Sequence, residues 1–388
     1  MRGHLTLPFK MLRARLGLRG QPSYCTYTVT FRCNFKCVMC DSWKKPFADE
    51  LTLPEIARIF EEIGRLDVIK ISGGEPFVRA DLAEIINTID DACAPEFIHI
   101  TTNGSLRERT LKTIAAIRAK RKLHLKVSID AVGAHHDDVR GFRGAYESAL
   151  ETVRSLAELR REHGFVLAVN QTIVDRAGLQ DYPALREELA RWDVKVVPNI
   201  AQASLTLHRV EGNRSELPVN AGSYATFAAF ERDELSNFFR EAEADAAALP
   251  SLVERLSMAY YLRGLRNRLL DGKGDPKPSC RSLSDFFRLL PNGDVPICFN
   301  DSRVVTNLRA GSFRDAWSSA GLDDGRAIVR KCPGCWSGCE MVPSAMYSGD
   351  LAQWVARESL RKAVGGGPKA PSASLSSTSR QQHEPGQA

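Results

Sequence analysis

The chain has 388 residues, 43% of them hydrophobic, enough to bury a full core and to build more than one domain. Its formal net charge of +6 is small for that length, and the 53 basic and 47 acidic residues are interleaved, so composition gives no ground for a nucleic-acid or polyanion partner. No apolar run approaches the ~20 residues that cross a membrane, so no transmembrane segment is expected. Residues 1–22 read as an N-terminal arm in which Arg2, Lys10, Arg13, Arg15 and Arg19 interrupt Leu5, Leu7, Phe9, Met11, Leu12, Leu16 and Leu18. That interruption, with no small-residue cleavage site, makes a poor signal peptide. An arm packed on its own domain is expected, with a basic amphipathic helix on a membrane surface as the alternative.

A β-prone run at 27–31 ends abruptly in Cys33, Cys37 and Cys40, spaced C-x3-C-x2-C. Thiolates this close suit a soft metal centre, either iron–sulfur or zinc. Three protein ligands on a four-iron cluster leave one iron open to another ligand. A zinc site would draw a fourth ligand from Cys25 or a histidine. Further β-rich runs are expected at 68–72, 97–102, 125–129, 166–174 and 194–200. Helical patterns separate them, among them 145–161 and 181–192. Thr52-Leu53-Pro54-Glu55 has capping-box spacing, as do Asp81 with Glu84 and Ser105 with Glu108. Six strands alternating with helices predict an α/β fold of parallel units, either an open sheet or a partly closed barrel, and the polar and glycine-rich strand endings favour a partial (β/α)6 TIM-like barrel. In such a fold the loops after the strands gather on one face. There Gly73-Gly74-Glu75-Pro76, Asn103-Gly104 and Asp130 join the cysteines. Gly73 and Gly74 allow close backbone approach to a ligand, Glu75 accepts from an ammonium group, and Asn103 and Ser128 suit a ribose or a carboxylate.

These motifs together resemble the radical S-adenosylmethionine (radical SAM) superfamily over about residues 24–202. The resemblance implies that Cys33, Cys37 and Cys40 hold a [4Fe–4S] cluster whose open iron is chelated by S-adenosylmethionine (SAM). Gly73-Gly74-Glu75-Pro76 is similar to the family's GGEP motif, which binds the methionine amino group. Thr101-Thr102-Asn103-Gly104 and Val127-Ser128-Ile129-Asp130 look like its third- and fourth-strand motifs. His136-Asp137-x-x-Arg140-Gly141 is similar to members with extra clusters, where Ser128 and Arg140 would lie near the SAM carboxylate. Asn170 would meet the ribose or adenine. The resemblance places Met39 where an aromatic residue is frequent, and a thioether fills that space beside adenine.

Beyond residue 202 the reading changes. Residues 203–275 are expected to be a helical connection, with a polar loop at 204–218, helices at 223–246 and 251–270, and a Gly/Asp/Pro-rich linker at 271–276. The aromatics Phe227, Phe230, Phe238, Phe239, Tyr260 and Tyr261 are expected to pack these helices on the barrel. A second cysteine group follows, Cys280, Cys298, Cys332, Cys335 and Cys339. Residues 290–298 read as a β-hairpin with an Asn-Gly turn that delivers Cys298 on its second strand. This region, 276–350, resembles the SPASM and twitch auxiliary-cluster domains, with Gly293 and the Asn307-Leu308…Trp317 stretch in place. Five cysteines imply one auxiliary [4Fe–4S] cluster held by Cys280, Cys298, Cys332 and Cys335. Cys339 is the alternative ligand or a spare near the substrate, and a four-thiolate zinc site is the other reading. Cys93 reads as an ordinary buried cysteine, and the adjacent His135 and His136 diverge on a helix. Residues 351–388 are expected to be a C-terminal helix and then a disordered tail.

With no export signal and clustered cysteines, a reducing, cytoplasmic location is expected. The resemblance implies an oxygen-sensitive enzyme that takes one electron from a flavodoxin- or ferredoxin-type donor, cleaves SAM reductively, and abstracts hydrogen from its substrate. With about two dozen residues before Tyr24, no peptide-recognition domain is expected there, which favours a small or carbohydrate-like substrate. A peptide maturase and a non-catalytic zinc or iron–sulfur protein are the alternatives.

Overall fold

In the computed structural model, residues 3–16, 20–46, 49–203, 224–249 and 251–363 are described. The expected loop at 204–218 and the tail beyond 363 lie outside them. Seven parallel strands form one sheet: β1 (Tyr24–Thr28), β2 (Val68–Ser72), β3 (Phe97–Thr102), β4 (Leu123–Ser128), β5 (Val166–Ile173), β6 (Lys195–Ile200) and β7 (Phe286–Leu289). Their order is β6-β5-β4-β3-β2-β1-β7, an α/β sheet of TIM-like type with β6 and β7 at its edges. A two-stranded antiparallel ribbon, β8 (Asp294–Pro296) with β9 (Val304–Asn307), stands apart.

The helices run in chain order as α1 (Gly3–Arg15), α2 (Leu53–Ile63), α3 (Leu82–Cys93), α4 (Arg107–Ala116), α5 (Ala134–Arg140), α6 (Ala145–His163), α7 (Arg176–Gln180) and α8 (Tyr182–Ala190). After β6 come α9 (Arg232–Ala247), α10 (Leu252–Leu270), α11 (Phe313–Trp317), α12 (Ala320–Lys331), α13 (Gly338–Ser348) and α14 (Asp350–Ala363). Outward residues of the strands, such as Ile69, Ile71, Ile98, Ile100, Leu125 and Val127, are buried in one core cluster with Ile56, Ile59, Phe60, Ile85, Ile86 and Ile89 of α2 and α3. Each such side chain contributes on the order of 1.5–3 kcal/mol by leaving water.

The expected six strands and their helices are present, with shifted limits. β1 begins at Tyr24 rather than 27, because its ladders to β2 and β7 start there. Of the three capping boxes, Thr52–Glu55 forms, with the Thr52 amide donating to Glu55 Oε2 at 2.7 Å. The carboxylate of Asp81 is instead taken by Arg79 Nε at 2.8 Å, and Ser105 is engaged by Asn103. The helix expected at 223–246 begins only at Arg232.

The hairpin expected at 290–298 is a correction. Its turn exists, with Gly293 at φ +91°, but the two flanking strands go different ways. β7 pairs in parallel with β1, while β8 pairs with β9, and Cys298 lies in the β8–β9 connection. All four residues of β7 are buried, the pattern of a strand covered on both faces rather than of a hairpin arm. The N-terminal arm lies against the body: Lys10 Nζ reaches Asp67 at 2.6 Å and Arg13 Nη2 reaches Asp285 at 2.8 Å.

Candidate active site

The loop that carries Cys33, Cys37 and Cys40 leaves the C-terminal end of β1 and is gripped on three sides. From β2, the Gly74 amide donates to the Thr30 carbonyl and the Glu75 amide to the Arg32 carbonyl, both at 2.8 Å. A Cβ on Gly73 would stand 2.6 Å from the Thr30 carbonyl, and one on Gly74 would stand 2.2 Å from that of Arg32. The two glycines therefore admit the backbone of the cysteine loop, a closer reason for them than approach to a ligand. From β3, the Asn103 amide group donates to Asn34 Oδ1 at 2.9 Å and Asn34 donates to Ser105 at 2.8 Å. From α5, the Arg140 carbonyl accepts from the Lys36 amide and that of Val139 from Val38. Gly141, at φ +61°, lies where a Cβ would meet the Lys36 carbonyl at 2.5 Å.

Glu75 is buried beneath this loop. Its Oε1 accepts from Thr102 Oγ1 at 2.9 Å and from the Phe77 amide at 3.1 Å, and its Oε2 from the Asn103 amide at 2.6 Å. Burial outweighs these donors and pushes its carboxyl up to about 7. Asp130, at the end of β4, is spent within the protein. It forms an ion pair with Arg140 Nε at 2.8 Å and accepts from the Thr172 amide at 2.8 Å. Arg140 in turn sends Nη1 to the Cys37 sulfur at 3.8 Å. The His136 ring accepts from the Asp130 amide at 2.9 Å, and burial lowers it to about 3, so it is a neutral structural residue. Ser128 and Asn170 face one another across β4 and β5 in register.

The thiols themselves are half-buried. Burial, then the nearby Glu75, Cys37 and Cys40 charges, pushes Cys33 up to about 12, against one backbone donor. Burial also raises Cys37, against the pull of Arg140. Met39, Val139, Val174 and Ala201 form an apolar wall with which Cys37 and Cys40 pack. Soft sulfur donors in such a place hold protons until a soft cation replaces them. This donor set suits an iron–sulfur cluster with an uncovered corner. Among the described residues no three His, Cys, Asp or Glu side chains close on one point as ligands of a single metal ion do.

The second group is also drawn together. Cys280 and Cys335 are each raised by burial and by the charge of Cys332 among others, and Cys298 by burial and by Cys335 and Cys280. Glu340 reaches all three through space, and is itself held by Arg288 Nε at 2.8 Å and the Phe299 amide at 3.0 Å. Cys339 faces elsewhere: Lys70 Nζ lies 3.3 Å from its sulfur, and with Arg288 nearby it is lowered despite burial. Among the described residues every cysteine is a free thiol.

Unforeseen from the sequence is the polar lining of the sheet's inner face by Lys70, His99, Lys126 and Arg288, of which Lys70 and Arg288 meet α13. The signal for it was present. A strand buried on both faces reads as continuous apolar residues, whereas Val68-Ile69-Lys70-Ile71-Ser72 and Leu123-His124-Leu125-Lys126-Val127-Ser128 alternate.

The sequence matches the radical SAM superfamily over residues 27–177. It is 31% identical over 166 residues to the AdoMet-dependent heme synthase of Methanosarcina barkeri, covering 42% of this chain and 45% of the relative. It is 32% identical over 164 residues to the pre-heme d1 synthase of Dinoroseobacter shibae, covering 41% and 38%. The matched region thus spans less than half the length of these relatives. The fold is similar to that of Streptococcus suis SuiB bound to S-adenosylmethionine, with a TM-score of 0.56 at 14% identity, covering 81% of this chain and 70% of that one. SuiB bound to its precursor peptide SuiA gives a TM-score of 0.56 at 13% identity, with coverage of 81% and 69%. Among the described residues no helix is long and apolar enough to cross a membrane. The matched residues 27–177 hold the three-cysteine loop and the Gly-Gly-Glu-Pro turn, so this part of the chain is a match to the radical SAM superfamily.

Proposed function

We propose that this protein is an enzyme that cleaves SAM reductively and uses the resulting radical to abstract hydrogen from a small substrate. The observation that carries this reading is the binding of the cysteine loop to the Gly73–Glu75 turn and to Asn103 in one continuous set of hydrogen bonds. Cys33, Cys37 and Cys40 would hold a [4Fe–4S] cluster, which, when bound, supplies the electron that splits SAM into methionine and a 5′-deoxyadenosyl radical. Glu75 would accept from the methionine ammonium, and Ser128, Asn170 and Asn103 would orient the sugar and carboxylate. Arg140 would hold Cys37 in position while Asp130 fixes its guanidinium. Residues 276–350 would carry one auxiliary [4Fe–4S] cluster on Cys280, Cys298, Cys332 and Cys335, with Cys339 left in the barrel. An external flavodoxin- or ferredoxin-type donor would supply the electron.

A peptide substrate is the second reading, supported by the fold shared with SuiB, whose structure holds a precursor peptide. Anaerobic reconstitution tests the main proposal. The full chain should take up roughly eight irons, about four per cluster, and form 5′-deoxyadenosine only with dithionite. Replacing Cys33, Cys37 and Cys40 with serine should abolish that product. Tight zinc with no SAM turnover would establish the structural-metal alternative instead.

A further inference from the structure

On the inner face of the sheet, Lys70, His99, Lys126, Asn170 and Asn199 are half-buried, while the neighbours Ile71, Ile100, Val127, Val169 and Ile200 are buried. Side chains this deep between strands that still meet solvent line an opening rather than a packed layer. None of the seven strands contains Asp or Glu, whereas β2, β4 and β7 each place a cation in the interior of the inner face, and Lys195 of β6 shares that face at its exposed rim.

Two of those cations are answered from α13: Lys70 by the Cys339 sulfur at 3.3 Å and Arg288 by Glu340 at 2.8 Å. Among the described residues Lys126 is not. Cys339 and Glu254 reach it only through space, and Lys70 repels it. A desolvated ammonium without a close anion is costly, and a bound anion removes that cost. The His99 and His124 rings lie 4.8 Å apart on the adjacent strand pair, and burial keeps both neutral, as N–H donors. Lys126 stands two residues before Ser128, whose register partner is Asn170. Two residues of strand are about 6.5 Å. The Lys126 side chain therefore leaves the strand one layer deeper than the pair beside which SAM is proposed to lie, where a substrate would follow.

We infer that Lys126, flanked by Lys70 and the His99–His124 pair, binds the anionic group of the substrate, a carboxylate or a phosphate. The substrates are then acidic small molecules. This rests on the barrel being the reaction chamber, as proposed above.

The test uses the full-length reconstituted protein with SAM bound, titrated separately with inorganic phosphate, succinate and neutral succinamide, and read by ligand-observed NMR. At least one anion should bind at a single site, and succinamide should not. Lys126→Met should weaken anion binding at least tenfold. Lys126→Arg should restore it, and Lys112→Met, at an exposed position of α4, should leave it unchanged. Stronger binding of phosphate or of succinate assigns the group. The inference is overturned if neither anion binds, if succinamide binds equally well, or if Lys126→Met binds as the natural protein does. SAM binding measured in the same samples separates the two levels. Loss of SAM binding in the natural protein sinks the wider reading, whereas intact SAM binding without anion binding sinks this one alone.

Discussion

Glu75 is held at a compromise that has a measurable consequence. Three donors stabilise its carboxylate, yet burial dominates and moves it from its ordinary 4.5 to about 7. The folded chain thus holds the Glu75 proton more tightly than the unfolded chain does. The stability this proton provides is full below pH 4.5 and is lost as pH rises through about 7. The shift corresponds to at most about 3 kcal/mol. Glu75→Gln removes the titration, although its amide faces the Asn103 N–H and so lowers stability at acid pH. In urea denaturation of SAM-free protein, the stability of the natural protein relative to this variant should fall by up to about 3 kcal/mol between pH 4.5 and 8. A difference that stays constant over that range would show that Glu75 does not titrate there. An ammonium group bound at Glu75 would restore its charge, so the same residue couples ligand binding to proton release.

At the scale of elements, the C-terminal segment is locked to the barrel through α10. Trp336 is fully buried, donates its indole N–H to the Tyr261 carbonyl at 3.0 Å, and has the Arg268 guanidinium 4.1 Å from its ring centre. Gly264 makes room for it, since a Cβ there would stand 2.0 Å from the ring. Trp336→Ala should cost about 3–5 kcal/mol by chemical denaturation, and Gly264→Ala should also destabilise, because the ring has nowhere to move. A loss under 1 kcal/mol for Trp336→Ala would mean that this contact does not hold the segment. Such packing is not legible from sequence, where Gly264 reads as an ordinary weakness in a helix. The loop motifs were legible because their spacing is local: three cysteines, Gly-Gly-Glu-Pro and Asn-Gly each fall just after a β-rich run. Their use was only half legible. Gly73 and Gly74 suggested ligand approach, but their empty Cβ positions, like that of Gly141, are filled by the backbone of Thr30, Arg32 and Lys36. Lys126 lies within the β-rich run at 125–129, and only its alternation with Leu125 and Val127 points to a face of its own.

The molecule as a whole is less divisible than its composition suggests. A reading in chain order separates a barrel core at 23–202 from an auxiliary region at 276–350. The sheet crosses that boundary, because β7 pairs residue by residue with β1, Tyr24 with Phe286 through Tyr27 with Leu289. No local pattern announces a partner more than 250 residues away, and a strand of four residues gives little periodicity to read. β1 is also the strand that leads into Cys33, so residues 276–350 complete the edge beside the three-cysteine loop. Further ties cross the same boundary: Leu51 N–H to the Pro291 carbonyl at 2.6 Å, Arg58 to the Leu308 and Arg309 carbonyls, and Tyr347 Oη to Asp67 at 3.2 Å. A chain cut after residue 275 would leave β1 as a bare hydrophobic edge, with Cys25 and Tyr27 losing part of their cover, and such edges recruit other chains. The truncated protein should therefore aggregate, or melt without a single cooperative transition, and should fail to load iron even though Cys33, Cys37 and Cys40 are all present. Size-exclusion chromatography, thermal unfolding and iron content after anaerobic reconstitution read the three outcomes independently. A monomeric fragment that unfolds cooperatively and binds roughly four irons, one cluster's worth, would show that the barrel is complete with six strands and that β7 is only an addition.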